Sequence, residues 1–212
     1  MKKSQVLMMC GVIGYVICLV ADFILDMLPK GHLNSEALTN YDTIVKVLEN
    51  EGVGRFNLSA ILGVSSMLLI ALGMIGIYEL FKTYVPKTSY VMLVSGVGAA
   101  VFGAVYHIIC TTCAWMFIKM GKSKEAFDII QEFITDNTFL MSFNAVLYTI
   151  MSVAFLIVVV MKKTPLPRWM CVFNVVFIYF LLSSFKIPGS TSIGGIVMCG
   201  VLLVYSFKIK NE

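Results

Sequence analysis

Charge is scarce in this chain. Only 13% of its 212 residues are Asp, Glu, Lys or Arg, against 59% apolar residues, and the mean hydropathy is +0.91. A soluble domain of this size carries about a quarter charged residues, so a water-bathed globule is excluded and the chain reads as an integral membrane protein. Strand-like alternation is missing too. Since hydrocarbon offers no partner for a free backbone group, long unalternating apolar runs must be helices and not a barrel. Histidine occurs twice, as His32 and His107, which is too few for a zinc centre built on several histidines. All six cysteines lie in or beside apolar runs, which excludes a disulfide framework in the loops. Strong basic clustering is absent, and the net charge of +4 gives no footprint for nucleic acid. With neither an internal repeat nor a low-complexity stretch, residues 1–212 form a single domain.

Six apolar runs remain, at about 5–28, 57–82, 90–118, 138–161, 168–185 and 191–208, and they predict an all-α polytopic transmembrane helix bundle. The first run is expected to be an uncleaved span. It exceeds an ordinary signal-peptide core, and Leu19 would stand where a cut after Ala21 needs a small residue. Lys2, Lys3, Lys82, Lys87, Lys162, Lys163, Arg168, Lys208 and Lys210 gather on one side of the predicted spans, which predicts cytoplasmic N- and C-termini. That basic rim suits anionic headgroups, so membrane lipids are the expected surroundings.

Two outer loops are too long for turns. The first carries Leu38, Tyr41, Val45 and Leu48 at helical spacing, with Asn34 or Ser35 as cap and Gly52 as stop. The second has Ser123 as cap and an apolar stripe of Phe127, Ile130, Phe133 and Ile134. Both are expected to be amphipathic helices lying on the outer membrane surface.

The polar residues within the spans are the functional signal. Asp22 and Asp26 in "ADFILD" stand one helical turn apart at the outer end of the first span. In the third span Gly96, Ala100, Gly103, Ala104, His107 and Thr111 share one face, which turns His107 into the bundle. Asn144 and Tyr148 recur at i, i+4 in the fourth. A carboxylate in mid-bilayer costs about 2.5–3.5 kcal/mol, so such acids seek a partner or a wet cavity. Counting depth from the outer ends predicts a pocket in the outer half of the bilayer lined by Asp22, Asp26, Arg55, Asn57, His107, Asn144 and Tyr148. Arg55 is expected to pair with Asp26, and His107 with Asp22. The pocket would bind a lipid or small amphiphile. Were it an enzyme, Asp22 and His107 would be the acid–base groups and the others would hold the ligand.

Rival classes are a proton- or cation-coupled carrier, and a structural or regulatory membrane partner without a ligand. The carrier lacks repeat symmetry in its favour. Cys110 and Cys113 in "CTTC" have no shuttling thiol pair in an outer loop to match, and a Ser59–His107–Asp22 triad has no elbow motif. No metal and no cofactor is assigned, and a homo-oligomer is compatible with the sequence. Together "ADFILD", "GRFNLSAILG", "YHIIC" and "LPRWMCVFN" resemble an uncharacterised family of small bacterial membrane proteins with about six helices. The resemblance implies a multi-pass protein of the bacterial cytoplasmic membrane and brings no activity with it.

Overall fold

A computed structural model describes residues 1–209, which are helical almost throughout. Four helices are long and apolar enough to cross a membrane: α1 (Lys3–Asp26), α4 (Val53–Phe81), α5 (Pro86–Lys119) and α6 (Lys124–Val160). Between α1 and α4 lie a two-residue hairpin, β1 (Met27–Leu28) and β2 (Gly31–His32), and two short helices, α2 (Ser35–Thr39) and α3 (Tyr41–Val47). After α6 come a 3₁₀ turn (Arg168–Val172), α7 (Val175–Ser183) and α8 (Ser190–Ser206). Around the bundle α1 packs on α4, α4 on α5, and α5 on α6; α7 touches α6 and α8, and α8 returns to α1.

Where α1 crosses α4 the backbones nearly touch. A Cβ on Gly11 would stand 2.8 Å from the Gly73 Cα, so only glycine permits this approach. The chain ends meet as well: Lys2 Nζ donates to the Ile209 carbonyl at 3.2 Å. Beside them, Glu79 accepts from Lys3 at 3.4 Å and from Lys82 at 2.7 Å. Both described ends therefore lie at the basic end of the bundle.

The second outer helix is not a separate element. It is the first part of α6, whose 37 residues rise about 55 Å, well beyond a hydrocarbon core of about 30 Å. Nothing between Lys124 and Val160 is Gly or Pro. The polar residues at the junction of the two predicted segments fold back onto their own helix. Thr135 donates to Gln131 O, Asn137 to Phe133 O and Thr138 to Ile134 O, each at 2.8 Å, so the ladder runs on.

The two loop stripes meet each other in the fold. Ala37, Ile44, Val47 and Leu48 of the first loop pack with Phe117 of α5 and Ala126, Phe127 and Ile130 of α6 in a second hydrophobic core above the main one. Mutual burial removes that apolar area from water without lipid, at about 1.5–3 kcal/mol for each large side chain. Asn34 caps α2 and Asn40 caps α3. Lys122, at φ +57°, donates from Nζ to the Leu48 and Glu49 carbonyls at 2.6 Å each, and Tyr41 donates to Lys122 O at 3.1 Å. Lys30 pairs with Glu49 and holds that carboxyl below its ordinary range.

The run 168–185 also departs from expectation, because it is not one continuous helix. Asn174 caps α7 by accepting from Val176 N and donates across to Ser152 O at 2.8 Å. A residue turned to capping starts a new helix and cannot carry the preceding turn through it. At 9 residues α7 rises about 14 Å, less than half a hydrocarbon core.

Candidate functional site

On α1, Cys18 and Asp22 stand at i, i+4 and so share one face. Both meet groups from other helices. Asp22 accepts through Oδ2 from Ser192 Oγ of α8 at 2.7 Å, and its Oδ1 lies 3.7 Å from His107 Nε2 of α5. The same Nε2 is 3.4 Å from Cys18 Sγ. Three helices thus converge on one small polar centre, and Asp22 stands at the first turn of α8, whose free N–H groups favour a negative charge. His107 is buried, while the side chain of Asp22 keeps 23% of its surface exposed.

The imidazole is set by a tight fit. A Cβ on Gly63 of α4 would lie 2.6 Å from both Cγ and Nδ1 of His107, so glycine is what lets the ring cross α4 to reach α1. Among the described residues the buried Nδ1 has no hydrogen-bond partner, and the polar contacts of the ring run through Nε2. Ser59 Oγ donates to Ala21 O at 2.8 Å, locking α4 to α1 just beside the centre. That bond commits the Ser59 hydroxyl to the backbone, in keeping with the missing elbow motif of a Ser59–His107–Asp22 triad.

The expected pairing of Asp22 with His107 is present, but the seven-residue pocket does not assemble around it. Arg55 does not hold Asp26. Its Nε donates to Ile24 O and its second terminal nitrogen to Met27 O, each at 2.9 Å, and its first pairs with Glu51 at 3.0 Å. The last carbonyls of a helix lack intrahelical donors and carry partial negative charge, and the guanidinium fork fits several of them at once. Asp26 instead stands 3.5 Å from His32 Nδ1. Asn57 is exposed; it lies two positions from Ser59, so when Ser59 faces α1 Asn57 must face away. Asn144 donates to Ala99 O at 2.7 Å and ties α6 to α5. Tyr148 meets the hydroxyl of Tyr15 at 3.1 Å, both buried.

Two participants, Tyr15 and Ser192, escaped the sequence-based site, and a third, Cys18, stands on the same helical stripe as Asp22. Tyr15 follows Gly11 by four residues and precedes Cys18 by three, so helical spacing alone could have added it to that stripe. Ser192 opens the last helix, and no local signal ties it to a residue 170 positions away. Cys110 and Cys113 are free thiols on α5. Two apolar grooves open elsewhere on the bundle. One of about 360 Å³ is lined by Leu156, Cys171, Val172, Phe177, Ile178 and Leu181, and one of about 260 Å³ lies beside Trp169 and Tyr205. Cys18, Asp22 and His107 offer thiol, carboxylate and imidazole, all metal-ligating types.

The family of unknown function DUF6796 matches residues 1–208. No curated protein and no solved structure gives a significant match.

Proposed function

The chain belongs to DUF6796, a family of unknown function, and we propose that it is a six-span membrane protein whose polar centre at Asp22 and His107 binds the head of a lipid or small amphiphile. The 3₁₀ turn together with α7, and then α8, would complete the six passes beside the four long helices, with both termini in the cytoplasm of a bacterial cell. The meeting of Lys2 with Ile209 at the basic end supports a shared side for the termini. Reporters fused to either end should then read the cytoplasm, and opposite readings would reject that topology.

One observation carries the functional reading. The Asp22 carboxylate is oriented by Ser192, faces the His107 ring at 3.7 Å, and still keeps part of its surface free. An acid that served packing alone would lower its energy by full burial against donors, because a half-satisfied carboxylate in hydrocarbon is the costly arrangement. A polar head arriving between α1 and α8 would complete its hydrogen bonds, and acid–base modification of that head would run through Asp22 and His107. Arg55, Asn144 and Tyr148 are occupied in holding helices together, so they support the centre at a distance.

The test is the lipid fraction retained by the full chain after detergent purification, read by mass spectrometry. Wild type should retain a defined species that Asp22→Asn loses at unchanged thermal stability, since an asparagine still accepts from Ser192. Identical retained lipids in the two proteins would reject the reading.

A further inference from the structure

We propose that Cys18, Asp22 and His107 together bind one divalent transition-metal ion of the zinc class, resting on the polar-centre reading above and naming its cofactor. One ligand atom from each residue lies within 4.8 Å of the other two. Tetrahedral zinc, with bonds of about 2.3 Å to sulfur and about 2.0–2.2 Å to nitrogen or oxygen, sets ligand–ligand edges of roughly 3.3–3.6 Å. The sulfur–nitrogen edge here is 3.4 Å and the nitrogen–oxygen edge 3.7 Å. The first edge falls in that range, the second lies about 0.1 Å beyond it, and the third stays within 4.8 Å, so small side-chain adjustments would bring all three to the metal.

Charge favours the same occupant. A thiolate, a carboxylate and a neutral imidazole around a doubly charged cation sum to zero, the one state that a low-dielectric interior accepts without penalty. Binding displaces the Cys18 thiol proton: the metal–sulfur bond forms as the proton leaves to solvent, and no electron changes hands. The ligands are also pre-set. Cys18 and Asp22 sit on one face of a rigid helix, Ser192 orients the carboxylate from outside, and Gly63 fixes the imidazole plane. Three protein ligands leave a fourth position, on the side where Asp22 is exposed, for water or an oxygen of the amphiphile. The scarcity of histidine argues against a three-histidine centre but not against one that takes its sulfur and oxygen from α1.

Cobalt(II) added to chelator-stripped full chain in detergent, without added lipid, tests this. The expected result is saturable uptake of one ion per chain, with a thiolate-to-cobalt charge-transfer band that zinc(II) bleaches. Cys18→Ser should abolish that band, Asp22→Asn should weaken uptake roughly tenfold or more, and Cys113→Ser should change neither. Absence of one-to-one uptake by wild type overturns the proposal, as does a band that survives Cys18→Ser. Should Cys18→Ser fail to fold, unchanged cobalt affinity in Asp22→Asn overturns it equally. Retained lipid is measured separately on the stripped protein. A loss confined to cobalt uptake removes the metal and leaves the lipid reading, and the converse result does the reverse.

Discussion

Gly63→Ala is the sharpest perturbation of the polar centre, because it adds one methyl group against the His107 ring and removes no polar group. The new Cβ would stand 2.6 Å from His107 Cγ and Nδ1 and 3.1 Å from its Cβ. Relaxed carbon contacts lie near 3.5–4.0 Å, so the ring has to recede by about 1 Å. Overpacking of this kind typically costs about 1–3 kcal/mol. Alanine in a helix interior returns up to about 1 kcal/mol over glycine, which masks part of that cost. Gly200→Ala supplies the correction, since nothing lies within 4 Å of a Cβ there and only the propensity gain remains. The difference between the two variants isolates the steric effect. At about 2–4 °C per kcal/mol for a chain of this length, Gly63→Ala should melt roughly 2–12 °C below Gly200→Ala in detergent. A shift of 1 Å also exceeds the tolerance of about 0.5 Å for a functional constellation, so cobalt uptake should weaken as well. Equal melting temperatures for the two variants would refute the wedge of His107 against Gly63.

Two further expectations concern the scaffold. Tyr15→Phe leaves the Tyr148 hydroxyl buried without its partner, at about 1–3 kcal/mol, whereas Tyr15→Phe with Tyr148→Phe should recover much of that loss because neither orphan remains. Thermal melting of the three variants reads this, and a double variant as destabilised as the sum of the singles would count against the pair. Lys122→Ala removes the two 2.6 Å bonds to Leu48 and Glu49 while keeping a β-carbon at positive φ, so the first outer loop should detach more often. Proteinase K should then cut within residues 27–52 several times faster than in wild type, and an unchanged rate would show that the second hydrophobic core holds the loop without Lys122.

Most of the helices could be read from the chain because their causes are local. An apolar run without alternation has one way to satisfy its backbone in hydrocarbon; Asn34 and Ser123 mark helix starts through bonds spanning three residues, and the proline at 86 marks one through its fixed φ and missing N–H. The joining of the second amphipathic stretch to the fourth apolar run was less legible. Whether Thr135, Asn137 and Thr138 break a helix or bond back onto it depends on what surrounds them, and the packing of the outer loop against α6 favours continuation. At 174 the opposite choice was made: the asparagine caps α7 through Val176 N and holds the Ser152 carbonyl across the bundle, and the second contact is the one that sequence spacing does not supply.

By itself the sequence determined that this is a helical membrane protein and that Asp22 and His107 belong on inward faces, because hydropathy and a period of 3.6 residues act along the chain. Tertiary structure alone decided which polar residues meet. Arg55 found the carbonyls at the end of α1 instead of Asp26, and Ser192 and Cys18 joined Asp22 and His107, because a hydrogen bond selects its partner by distance and direction in space, and neither is written in sequence spacing.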